Sequence, residues 1–144
     1  MLDKNAYLID LSASVLSRDF KDQSDIHKVF TAIWALEGEV NNGGFSEYFW
    51  NSSGFTANFA PGALRRIGAI KCADIVERAL QVVSPEPLPD DDDLRSSLVD
   101  NLDDEANTRL EALDSEFFAY PDNLTTLLFD FVCSHPEEFG PTPT

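Results

Sequence analysis

Bases are scarce in this chain of 144 residues, where 10 Lys and Arg stand against 26 Asp and Glu for a formal net charge of −16. Affinity for DNA or RNA comes largely from neutralising phosphates, so direct nucleic-acid binding is not expected. Cysteine is nearly absent. Cys72 and Cys133 both fall among apolar helical positions and read as reduced core residues of a cytoplasmic protein, which leaves no disulfide framework. Histidine is as rare, and His27 sits at the border of an apolar face, where a surface role is commoner than ligation. No apolar run approaches the ~18 residues of a membrane span. No basic region followed by an apolar segment opens the chain, so no signal peptide is expected. A Cys/His metal cluster, a nucleophile elbow, a Walker loop and a Rossmann fingerprint are all missing. The run Asp90-Asp91-Asp92-Asp93 lacks the glycine and closing glutamate of an EF-hand loop. The expectation is therefore a protein without metal or cofactor, and not an enzyme.

What is present is enough apolar surface for one core. Hydrophobic residues make up 43% of the chain, too many for a disordered one. Their spacing is helical throughout and predicts an all-α domain of about six to eight helices over residues 1–136, with 137–144 as a C-terminal tail anchored by Phe139. Leu8, Leu11 and Val15 mark a helix over 4–17. Ser24 caps the next helix, with Asp25 in its first turn. Asn58 is a candidate cap for a helix carrying Pro61, Leu64 and Ile67, with Arg65 and Arg66 exposed and available to pair with acids. Gly68 is read as a point of close helix approach. A helix over 71–83 turns Cys72, Ile75, Val76, Ala79 and Leu80 inward. The proline-rich stretch 84–89 is a loop. The last helix, 123–134, is capped by Asp122 and stopped by Pro136.

The chain is organised around residues 36–54. Ile26, Val29, Phe30, Ile33, Leu36 and Val40 share one helical face, which ends at Asn41-Asn42-Gly43-Gly44. A short aromatic helix then begins at Phe45 and turns Tyr48 and Phe49 the same way, while Trp50 points elsewhere and suits an interface. Asn51 to Gly54 form a second turn, with Asn51 bonded to nearby backbone. Glu37 falls in the middle of the apolar face, where an unpaired charge is costly. The favoured partners are the turn amides and the free N–H groups of the helix starting near Phe45. A catalytic role for Glu37 and a position at the wet edge of the face remain open.

Charge is uneven. Residues 1–50 hold 8 acids and 4 bases, 51–85 hold 2 and 4, and 86–144 hold 16 and 2. The last segment, at net −14, would attract and steer a basic partner. Leu94, Leu98 and Leu102 make one stripe and Ala106, Leu110, Leu113 and Phe117 another. The two do not align at about 100° per residue, which predicts a break near Asp103. Asp90, Asp91, Asp92, Asp93, Asp100, Asp103, Asp104, Glu111 and Asp114 are the candidate partner-binding acids. Acids one turn apart lie about 5.4 Å apart along the axis. The phosphates of one DNA strand rise about 3.4 Å per nucleotide, a comparable scale.

Glu37, Asn41-Asn42-Gly43-Gly44-Phe45, Tyr48-Phe49, Asn51 and Gly54 together resemble the signature of a bacterial DNA-mimic protein family of small, all-helical domains. Arg66-Ile67-Gly68-Ala69 and Leu113-Asp114-Ser115-Glu116-Phe117 extend the resemblance, which covers about residues 25–135. It implies an acidic homodimer that occupies the DNA-binding surface of a transcription factor. The first functional expectation is thus an acidic interaction domain for a basic DNA-binding protein. The alternatives are a small-ligand binder or enzyme centred on Glu37, Asn41, Asn42, Gly43, Gly44 and Asn51, and an interaction module for some other basic protein.

Overall fold

The computed structural model describes residues 2–143, which form eight α-helices and no strand in a single compact domain. α1 spans Lys4–Val15, α2 Asp25–Trp50, α3 Ala60–Arg66, α4 Ile70–Val83, α5 Asp92–Asp100, α6 Asp104–Phe118, α7 Leu124–Cys133 and α8 Pro136–Phe139. Turns of 3-10 helix lie at Phe20–Asp22 and Ser52–Thr56. α2 is the axis of the domain and packs against α1, α3, α5 and α6, while α4 packs against α3 and α6. Among the described residues no helix is long and apolar enough to cross a membrane.

Ser24 starts α2 as its spacing suggests, accepting from the His27 N–H at 3.1 Å. The helix then bends at Gly43 and Gly44, whose backbone angles leave the helical region. Gly44 has φ 82° and ψ −178°, a conformation essentially reserved for glycine. The bend lets both arms of α2 bury one aromatic and aliphatic face. Phe30, Ile33, Leu36, Phe45, Tyr48 and Phe49 are all enclosed, each worth about 1.5–3 kcal/mol relative to an exposed side chain. The break near Asp103 is also present, since α5 ends at Asp100 and Asp103 caps α6 through the Ala106 N–H at 2.8 Å.

Several local expectations are corrected. Asn58 does not cap α3; it donates to the Leu88 carbonyl at 2.8 Å and accepts from the Leu88 N–H at 3.0 Å, pinning the proline-rich loop. Gly68 serves a turn with φ 89° rather than a close helix crossing. Arg65 pairs with Glu77 on α4, not with the acidic segment. Asn123, not Asp122, caps α7. Asp122 instead accepts from the Cys72 N–H at 2.8 Å, in the first turn of α4. Pro136 opens the helical turn α8, and Phe139 is buried beside Phe30 and Phe131.

The largest correction concerns α5. Leu94 is 61% exposed and Leu98 37%, whereas Arg95 is 0% exposed and Val99 is buried. The helix is rotated so that an arginine takes the place that its leucines would fill. Leu94 forgoes most of the ~1.5–3 kcal/mol that burial of a leucine provides.

Gly38 and Gly44, two of the three glycines of α2, should behave oppositely. Gly44→Ala meets both the reserved backbone region and the Asp114 carboxylate, against which the added methyl would press. It should lower unfolding free energy by about 1–3 kcal/mol from backbone strain alone. Gly38 is helical with open space around it, so Gly38→Ala should raise stability by about 0.5–1 kcal/mol. Urea midpoints would check both.

Candidate functional site

The structure separates the turns of residues 41–54 from the acidic helices and gives the turn residues tasks of their own. At the bend of α2, the Phe45 N–H is an orphan donor of the second arm. Asp114 on α6 accepts from it at 2.8 Å. Burial raises the Asp114 pKa while this N–H pulls it back. The carboxylate that serves the Phe45 helix is therefore Asp114, not Glu37. Asp114, one of the candidate partner-binding acids, is thus half-buried and engaged within the fold.

Asn51 donates to Glu39 at 2.6 Å and joins the two arms of α2 across the bend. Its side chain does not bond backbone as expected. Asn42 reaches Glu47 at 3.3 Å, and Asn41 donates to the Tyr120 hydroxyl at 2.7 Å. Glu37 points away from all of these. It lies half-buried in a crevice of about 10 Å³ with Asn5, Trp34, Leu124 and Thr125, room for about one water. The residues of the ligand-site alternative, Glu37, Asn41, Asn42, Gly43, Gly44 and Asn51, thus do not converge on one cavity. Among the described residues no group of three or more His, Cys, Asp and Glu is placed to hold a metal. The Cys72 thiol, buried at the start of α4, is pushed up to about 11 by desolvation, which suits an inert core residue.

Arg95 was not singled out by sequence reasoning, and it is the most connected side chain at the end of α2. Its five N–H donors are all used. Nε donates to the Phe49 carbonyl at 2.8 Å. Nη1 donates to the Pro89 and Asp90 carbonyls, both at 3.1 Å. Nη2 donates to the Asn51 carbonyl at 2.8 Å and to Asp92 at 2.6 Å. The Phe49 and Asn51 carbonyls belong to the C-terminus of α2, where acceptors are otherwise orphaned and a cation suits the dipole. Gly54 makes the room: a Cβ there would lie 2.6 Å from Arg95 Nε and 2.7 Å from the Tyr48 and Phe49 carbonyls. The one available signal was a lone base inside an acidic run.

This burial sharpens the acidic face. Residues 86–144 contain two bases, Arg95 and Arg109, and the first is withdrawn from the surface. Asp90, Asp91, Asp92, Asp93, Asp100, Asp103, Asp104 and Glu111 are all exposed. They are not equally free. Asp91 and Asp103 cap α5 and α6, Asp92 pairs with Arg95, and Asp100 accepts from the Trp50 indole N–H at 3.0 Å. Asp90 faces a groove of about 530 Å³ shared with Phe20, Lys21, Lys28 and Phe55. Glu116, also exposed, is held by Arg78 through two bonds of 3.0 and 2.8 Å. Asp90, Asp93, Asp104 and Glu111 carry no structural bond through their carboxylates among the described residues.

Residues 21–135 match the model of a protein family described as DMP19-like protein. No curated protein and no solved structure matches the chain.

Two measurements test this geometry. Arg95→Lys keeps the charge but offers three donors on a flexible stem to a five-acceptor cage. It should cost about 3 kcal/mol or more of unfolding free energy, because buried acceptors are left unpaired. A urea midpoint unchanged from wild type would show that the cage does not hold the fold. For Glu37, burial raises the pKa above the usual 4.5. An acid so shifted holds its proton more tightly in the folded chain, so its contribution is full below 4.5 and is lost as pH rises through the folded value. Glu37→Gln should therefore match wild type near pH 4 and equal or exceed its urea midpoint at pH 7. A lower midpoint at pH 7 would mean that donors hold the carboxylate after all.

Proposed function

The chain belongs to the DMP19-like protein family, and from that premise we propose that it is an acidic interaction protein that occupies the basic DNA-binding surface of a DNA-binding protein, in the manner of a DNA mimic. One observation carries the reading: α5, α6 and the loop before them present a run of exposed carboxylates, and of the two arginines among them one, Arg95, is turned wholly inward while Arg109 stays at the surface. With that charge withdrawn, α5 has no exposed base of its own beside its carboxylates. Like charges one turn apart cost a few tenths of a kcal/mol per pair, which a basic partner would relieve.

The mechanism is competition. The field of the acidic segment raises the encounter rate with a positive surface, and the carboxylates then take the places of phosphates. They act together, so no single acid is catalytic. Of the candidate acids on α5 and α6, Asp93, Asp104 and Glu111 have most freedom to meet a partner, while Asp91, Asp92, Asp100 and Asp103 hold the helices that display them. Regulation of transcription follows if the captured protein is a transcription factor. Should the protein form a homodimer, a face other than this one joins the copies, because two such surfaces repel.

The decisive experiment is a pull-down from lysate of the source cell at low and moderate salt, with a charge-matched acidic protein as control. Recovery of one basic DNA-binding protein, released by competing duplex DNA, is the expected result. The triple variant Asp93→Asn, Asp104→Asn, Glu111→Gln leaves every cap intact and should recover less of that protein, with a shallower salt dependence. Recovery of only what the control recovers, or no effect of the triple variant, would count against the reading.

A further inference from the structure

α5 carries more than charge. At about 100° per residue, Leu94 and Leu98 occupy one flank of the helix, and Asp93 and Asp100 the other, about 130° away around the axis. Asp90 and Asp91 stand at the head of the leucine flank, and Asp103 lies beyond its foot. A helix with its arginine inside and its leucines outside is inverted relative to an ordinary amphipathic helix. The Arg95 cage explains why the helix is rotated, but not why the outward positions are leucines. Serine or lysine there would leave the cage untouched.

We infer that Leu94 and Leu98 form an apolar contact strip within the acidic face, and that its occupant is a cationic, amphipathic helix of a partner protein. The inference rests on the acidic-face reading and adds what the partner must present. Charge complementarity selects the occupant. A second copy of this chain would bring another segment of net −14 against the strip, and a purely polar basic surface would leave the leucines in water. Proteins that read duplex DNA carry apolar side chains for the thymine methyl group beside their basic ones. A surface that replaces DNA on such a protein therefore gains from apolar contacts among its carboxylates.

The test uses the full chain and two synthetic helical peptides of equal length and charge, one with leucines along one face and one with serines at those positions. Affinities are read by fluorescence anisotropy at about 0.15 M salt. Wild type should bind the leucine peptide about tenfold more tightly than the serine peptide. L94S/L98S should erase that preference without changing affinity for the serine peptide, and circular dichroism should show its helices intact, because both leucines are exposed. Asp93→Asn with Asp104→Asn should weaken both peptides alike. Equal affinity of wild type for the two peptides, or a preference that survives L94S/L98S, would overturn the strip while leaving the acidic face standing. Binding of neither peptide would overturn both. A homodimer that L94S/L98S converts to monomer would assign the strip to a second copy and overturn the choice of partner.

Discussion

The buried guanidinium of Arg95 is the constraint on which the outer half of the molecule depends. It closes the C-terminus of α2, ties down the carbonyls that lead into α5 and pairs with Asp92 in the first turn of that helix. An arginine buried with fewer acceptors would be strongly destabilising. The chain therefore has to deliver five of them, and it does so by turning at Gly54 and again at Pro89. The rotation of α5 follows from this, and from the rotation follow the exposure of Leu94 and Leu98 and the removal of a positive charge from the acidic surface.

The motif at residues 36–54 works on the same principle of satisfying orphaned polar groups. A bend in the central helix frees donors and acceptors that need partners. Asp114 supplies one from α6, and Asn51 and Glu39 bridge the two arms. Gly44 supplies a backbone conformation that other residues avoid. These residues hold an architecture, and this explains why they resemble a family signature more than a catalytic one. The exposed acids lie on the next helices, one remove from the motif that positions them.

The proposed function is a property of a surface rather than of a cleft. The exposed acids divide into those that hold α5 and α6 in place and those that are unengaged. Trp50, 47% exposed and bonded to Asp100, shows that the rim of this surface is not purely charged. The groove beside Asp90 brings Lys21 and Lys28 close to the acidic run, with Lys28 over the Phe20 ring at 5.4 Å. Two lysines thus stand beside the acidic run at the 3-10 turn Phe20–Asp22, together with Asp19.

The sequence by itself determined the all-helical class, the cap at Ser24, the bend at the glycine pair, the break at Asp103 and the acidity of the last segment. Each of these is a local property, readable from periodicity, from backbone preference or by counting charges. Glu37 and Asp114 could not be assigned in that way, because which carboxylate reaches the Phe45 N–H depends on how α6 crosses α2. The rotation of α5 was hidden for the same reason. Periodicity orients a helix by its leucines, but here five acceptors contributed by the end of α2, the loop and Asp92 outweighed two leucines, and those acceptors come together only once the chain has folded.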